Sequence, residues 1–397
     1  MQEFSAAAKG GTLAPARHPA PPTAADSAID ALLPLLADAP DLSLLSNRDS
    51  WSEIRENAGH YGVAPLIAYA VRQHVSAPGR AWCDGILTSS WMRHERMLGH
   101  LSCLLGLLQD AGVPAIALKG PLLARRYYTP VFLRKPSMDL DIAVSETNLE
   151  RACAALARGG YMLDAPLRDV LTNTHHAELS HPTRPHVELH FRLTHRALGI
   201  PVDEFFDRAI SVPLPNGQKA LVLGPADQIL HLVLHLAQSR FGTLFHIAEI
   251  RRVCHQEPPE VRAEAIRRAV SHRYSGALRM LDIAFRVYWN EPFLQPNIEV
   301  PKTWLNWRLT PDLYRAFERF SVPGRPMNLP ARLYGRWLDV QLTDTLADAL
   351  RTAGFFLRTA RFYARDKRAW GTPRHIHFTD TRTPPAADPA KIDGSSL

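Results

Sequence analysis

The chain has 397 residues, long enough for two or three domains with adequate cores, and a composition of 46% hydrophobic and 21% charged residues that excludes fibrous and wholly disordered classes. A formal net charge of +7 favours anionic partners, but no run of five or six like charges occurs, so charge gives no strong nucleic-acid signature. The four cysteines (Cys83, Cys103, Cys153, Cys254) are far apart and lack any CxxC or metal-type spacing, which reads as buried thiols in a reducing compartment rather than a disulfide framework.

Residues 1–25 are rich in Ala, Pro and Gly and read as a disordered segment with no secretory signal. Residues 26–111 read as a helical region. Ile29, Leu32, Leu33 and Leu36 fall at helical spacing, Trp51, Ile54, Ala58 and Tyr61 repeat the pattern, and 63–71 and 91–109 continue it. The apolar stretch 98–118 is broken by Gln109, Asp110, Gly112 and Pro114, so it cannot span a bilayer, and a cytoplasmic protein is expected.

The pattern changes at Gly112. Residues 113–118 form a short apolar run suited to a buried strand, and Lys119, Gly120 and Pro121 turn it into a helix carrying Leu122, Leu123 and Tyr127. In the run 137–144, which reads SMDLDIAV, Leu140, Ile142 and Val144 alternate with Asp139, Asp141 and Ala143, as in a strand. Thr147 and Glu150 have capping-box spacing ahead of a helix marked by Leu149, Ala152, Cys153 and Leu156, with Gly159 and Gly160 as its stop. Residues 177–180 and 187–191 flank HPTRP as a hairpin. The expected class is therefore α+β: a small mixed sheet in a core over 112–223, a helical region over 224–370 (229–236, 247–253, 277–287 and 337–363), and a disordered tail over 371–397.

Asp139 and Asp141 leave one strand face with their Cβ atoms about 6–7 Å apart. Two ionised carboxylates at that distance repel, and a divalent cation such as Mg²⁺ or Mn²⁺ relieves the repulsion. By itself the pair also fits two solvated acids at a strand end. Its surroundings sharpen it. Lys119 and Gly120 sit at a helix mouth whose N–H groups can meet phosphate. Arg134 and Lys135 stand just upstream of the acids, and Glu188 offers a third carboxylate from the hairpin. Three acids permit a two-metal arrangement, and cations beside them balance a triphosphate.

Leu118-Lys119-Gly120, Arg134 five residues before Asp139, the Asp139-x-Asp141 pair, Gly160-Tyr161 and Val187-Glu188-Leu189-His190 together resemble the uncharacterised nucleotidyltransferase family of the DNA polymerase β-like superfamily. The likeness runs from about 51 to 253. It takes in Ala58, His60, Val63, Pro65 and Leu66 at the front, and His231 and His235 leading to Arg240 and Phe241 at the back. The resemblance implies Asp139 and Asp141 as metal ligands and Glu188 as the third acid. It also implies an NTP substrate and transfer of a nucleoside monophosphate. The acceptor it implies is a peptide, protein or small molecule of a peptide natural-product pathway, since members occur in bacterial gene sets for modified peptides. Two departures stand out: Lys119-Gly120 replaces a Gly-Gly or Gly-Ser pair at a longer spacing, and Glu249 stands where Asp is usual.

Three alternatives stay open. A catalytically degenerate fold could serve as the binding partner of a peptide-modifying enzyme. His186, Glu188 and His190 share a strand face that suits zinc, or they are hydrogen-bond partners and polar surface among the histidines at 175, 176, 181, 186, 190 and 195. His231 and His235 form either a wall of the cleft or, as the pattern favours, a solvated helix face.

Overall fold

A computed structural model describes residues 29–301 apart from 38–39, 47, 195–198, 240 and 242, and then 310–311, 339 and 342–365. The expected disordered ends, His195, Arg240 and positions 337–338 and 340–341 of the expected C-terminal helical stretch lie outside the described residues.

The chain opens with helices α1 (Arg48–His60), α2 (Ala64–Val71) and α3 (Ala77–Asp110). At 34 residues, α3 is roughly 50 Å long and begins well before the stretch anticipated from sequence. Its early residue Cys83 packs in the helical core, whereas Met97, Leu101, Leu104 and Leu108 pack beneath the sheet. One helix therefore ties the two cores together.

The sheet comprises β1 (Ile116–Ala117), β2 (Asp139–Ala143), β3 (Met162–Leu163), β4 (His176–Ser180), β5 (His186–His190), β6 (Ile210–Pro213) and β7 (Lys219–Val222), in the order β3-β4-β5-β2-β1-β7-β6. It is mixed. β2 runs parallel to β5 and antiparallel to β1, β1 runs parallel to β7, and β4 and β5 form the expected hairpin. Between the strands lie α4 (Pro121–Tyr127), α5 (Leu149–Arg158), α6 (Leu167–Asn173) and α7 (Asp203–Phe206). A second helical layer follows: α8 (Pro225–Gln238), α9 (Leu244–Gln256), α10 (Pro259–Ser271), α11 (Ser275–Trp289) and α12 (Leu346–Arg365). The α+β class and the helical flanks are as the sequence indicated.

Alternation decides which way the sheet faces. Leu140, Ile142, Val187, Leu189, Ala177 and Leu179 are buried in a core shared with α3 and with Leu149, Ala152, Ala155 and Leu156 of α5. The opposite face of β2, β5 and β4 carries Asp139, Asp141, Glu188, His190, Glu178 and His176 in matching register. Beside it, Ile116, Leu118, Ala143 and Leu223 join the core of α8 and α9. The polar face thus opens beside a wall of helices.

Two local readings need correction. No capping box forms at α5: Glu146–Asn148 makes a short 3-10 turn instead, and Asn148 Nδ2 donates to Ser145 Oγ at 2.8 Å. The extra turn places Thr147 inside that element rather than at the cap. Among the cysteines, Cys83 and Cys254 are buried, but Cys103 is exposed and Cys153 half-buried at the edge of the core beneath the sheet. No described helix is long and apolar enough to cross a membrane.

Candidate active site

Five elements build the site. At the end of β1 the Leu118 N–H donates to the carbonyl of Asp141, so the Lys119-Gly120 turn is pinned against β2. Gly120 has φ +70°, a conformation that L side chains rarely adopt, and a Cβ there would stand 3.4 Å from Ser137 Oγ. The α4 helix that follows is a single short element beginning at Pro121, which has no N–H. With no N–H at Pro121, the group this turn presents most prominently to the sheet face is the Lys119 side chain.

Lys119 Nζ lies 2.9 Å from Asp141 Oδ1, and His190 Nε2 lies 3.1 Å from the same oxygen. His190 Nε2 is also 3.2 Å from Glu188 Oε2. Because Asp141 and Glu188 are register partners on parallel β2 and β5, one imidazole two residues beyond Glu188 reaches both carboxylates. Asp141, Glu188 and His190 each place one donor atom within 4.8 Å of the others. Asp139 shares the face but lies outside that trio, nearer solvent.

The electrostatics follow from this packing. Burial pushes the Asp139 carboxyl up, and the charges of Asp141 and Glu188 push it further, to about 6. Burial would raise Asp141 too, but the Lys119 charge and the His190 hydrogen bond overcome it and hold the group well below the usual carboxylate range. Glu188 is opposed by burial in the same way, yet the His190 hydrogen bond and the nearby His176 bring it down to about 2. Burial works against the His190 cation, but its bonds to Asp141 and Glu188 raise it to about 9. Lys119 is pushed down by burial and raised more strongly by the three acids. Three carboxylates face two cations, so one net negative charge remains on the patch.

Arg134 departs from the expected phosphate contact. It is buried, its Nε donates to Glu249 Oε1 at 2.5 Å and its Nη2 to Glu249 Oε2 at 3.2 Å. Its Nη1 donates to the Lys135 carbonyl and to Ser137 Oγ. A guanidinium so occupied is a clamp on the loop leading into β2, and Glu249 on α9 is its other jaw.

The polar stripe of α8 is not a solvated face. Gln228 Nε2 donates to the Leu118 carbonyl at 3.3 Å, and His231 is buried. Burial, reinforced by the Lys119 charge, holds His231 and His235 well below the ordinary histidine value, so both are neutral. The helix is fixed by Asp227 in its first turn, which is gripped by Arg208 at 2.8 Å and Arg268 at 2.5 Å. His231 and His235 are a wall of the site, because the stripe that looks solvent-directed meets the polar face of the sheet.

The zinc trio of His186, Glu188 and His190 is not what forms. His186 sits with Asp164 and Glu178 instead, while Glu188 and His190 turn to Asp141. The sequence reading left His175 and His176 as hydrogen-bond partners or polar surface and gave Glu178 no role. Their signal was the mirrored spacing of His176-x-Glu178 and Glu188-x-His190, which an antiparallel hairpin lays His against His and Glu against Glu.

No curated protein matches the chain. The family described as uncharacterised nucleotidyltransferase matches residues 47–288, a span that contains the sheet, the acid cluster, the Arg134–Glu249 clamp and the α8 wall; the chain belongs to that nucleotidyltransferase family.

Proposed function

We propose that this site transfers a nucleoside monophosphate from an NTP to an acceptor nucleophile, releasing pyrophosphate. The observation that carries the reading is the convergence of Asp141 and Glu188, with Asp139 at the rim, on one half-open sheet face beside a half-buried lysine. The acceptor atom forms a bond to the α-phosphorus while the bond from that phosphorus to the pyrophosphate oxygen breaks.

The donor set suits a hard divalent cation. Burial, and then the charges of Asp141 and Glu188, raise the Asp139 carboxyl, and both Lys119 and His190 meet Asp141 at Oδ1, on one side of the carboxylate. Asp139, Asp141 and Glu188 would hold Mg²⁺ or Mn²⁺, which when bound supplies charge neutralisation for a triphosphate of about four negative charges. Without such a cation the net negative patch would repel the substrate.

The chain's own groups divide the remaining work. Lys119 has three N–H donors and spends one on Asp141, so the others can meet phosphate oxygens. Gly120 lets the backbone pass close to Ser137 and so sets the position of Lys119. Glu188, ionised and held by His190, is the candidate for the second cation; the base role also open to it is the less suited, since a carboxyl at about 2 accepts a proton poorly. Arg134 acts through the loop it clamps. The acceptor drawn from the family resemblance is a peptide, protein or small molecule of a peptide natural-product pathway.

The test is Mg²⁺-dependent pyrophosphate release from each NTP, with cell extract supplying acceptor, for wild type and Asp141→Asn. Release by wild type alone is expected. Equal release by both removes the mechanism, and nucleotide binding without release would mark a binding module.

A further inference from the structure

Beside the acids the hairpin carries a second cluster that the transfer chemistry does not use. His176 on β4 is the register partner of His190 on β5, and Glu178 is the partner of Glu188. Like charges directly opposite each other are unfavourable on a sheet unless something compensates them. Here each glutamate is met by a histidine: His176 Nε2 lies 3.3 Å from Glu178 Oε1, and His190 Nε2 lies 3.2 Å from Glu188 Oε2.

That arrangement commits the Nε2 atoms to carboxylates and leaves the Nδ1 atoms for something else. His176 Nδ1 lies 3.0 Å from Nε2 of His175. His190 Nδ1 is buried and has no hydrogen-bond partner. An imidazole whose far N–H is held by a carboxylate while its near nitrogen is unpaired is the arrangement of a metal-ligating histidine. The three rings cluster edge to face and tilted, with centroids 4.2 Å apart for His175 and His176, 5.1 Å for His176 and His190, and 5.5 Å for His175 and His190. One ring nitrogen from each lies within 4.8 Å of the others. A tetrahedral Zn²⁺ with Zn–N bonds of about 2.0–2.1 Å spaces its nitrogens about 3.4 Å apart, so small side-chain adjustments close the site.

We propose that His175, His176 and His190 form a three-nitrogen site for a borderline transition cation, best matched by Zn²⁺, next to and distinct from the oxygen-donor acid site, the cation taking the place of the proton that His190 otherwise carries on Nδ1, which is released to solvent. Nitrogen donors select against Mg²⁺, and oxygen donors favour it, so the two sites sort their cations by ligand chemistry. Glu178 orients one ligand; Asp141 and Glu188 orient another through its far nitrogen. The site stands whether or not the adjacent acids transfer nucleotides.

The experiment uses the full-length chain stripped of metal with a chelator, then titrated with Zn²⁺ and, separately, with Co²⁺ in a millimolar excess of Mg²⁺. One Zn²⁺ per chain is expected, with the intense visible absorption of four-coordinate Co²⁺. The double variant His175→Ala/His176→Ala should lose at least tenfold in affinity, and Asp139→Asn should keep it. The absence of binding, a weak octahedral Co²⁺ spectrum of the wild type, or loss in Asp139→Asn equal to that in the histidine variant would each overturn the site. The wild-type spectrum decides the matter even where a variant folds poorly. Failure here with pyrophosphate release intact would leave the transfer reading standing.

Discussion

Asp141 and Glu188 are 47 positions apart in the chain yet are paired in register on parallel strands, and they share the Nε2 nitrogen of His190, at 3.1 Å from one and 3.2 Å from the other. The shared imidazole holds a buried and a half-buried carboxylate at a fixed separation and, together with Lys119 at Asp141, keeps both ionised. Removing it should leave two like charges facing each other. His190→Ala is expected to raise the pKa of at least one acid and to raise the Mg²⁺ concentration needed for half-maximal pyrophosphate release. Unchanged metal dependence would show that the imidazole does not organise the acids.

Lys119 is the nearest cation to Asp141 and the proposed phosphate contact. A hydrogen bond to a charged group contributes about 1.5–3 kcal/mol, so Lys119→Ala should raise the KM for NTP by roughly tenfold to a hundredfold. Because Lys119 helps hold Asp141 low, its removal raises that pKa. The acidic limb of the pH–rate profile should therefore move to higher pH. A variant with unaltered KM and profile contradicts both roles.

Arg134 and Glu249 make a different prediction. Breaking a buried ion pair by removing one partner costs about 3–5 kcal/mol, since the other charge stays buried and unpaired. Glu249→Ala and Arg134→Ala should each lower stability by about that amount in denaturant unfolding, and the double variant should lose less than their sum. If Arg134→Ala were fully stable but raised the KM for NTP, the guanidinium would be a substrate contact after all.

Acid sensitivity should appear at mild pH. His94 is brought down to about 4, chiefly by burial and then by Arg134, and His246 to about 3 by burial and the Lys119 charge. In the unfolded chain both titrate near 6.5. The unfolded state thus binds more protons between pH 6.5 and 4, so stability is full above 6.5 and falls as pH drops through that window. Thermal melting followed from pH 7.5 to 4.5 should show a fall in Tm beginning near 6.5. His94→Leu should flatten the slope; an equally steep fall in that variant contradicts the assignment.

The strands, the acid pair, Glu188 and the Lys119 turn were legible because alternation and local spacing are properties of short windows. Arg134 was misread because its partner Glu249 lies 115 residues away on α9, and a free cation near acids is the natural reading of a linear sequence. The α8 histidines were misread for a related reason. A polar helix stripe looks solvated unless it is known that the surface it meets, here the Lys119 and His190 edge of the sheet, is polar as well. His176 became part of the site only through hairpin register, which pairs it with His190.

The most direct measurement compares NTP labelled at the α-phosphate with NTP labelled at the γ-phosphate, incubated with Mg²⁺, extract and either wild type or Asp141→Asn. Nucleotidyl transfer by Asp139, Asp141 and Glu188 places the α-label on an acceptor and the γ-label in pyrophosphate, and both signals vanish in the variant. The γ-label on an acceptor, or α-label transfer that survives Asp141→Asn, would contradict it.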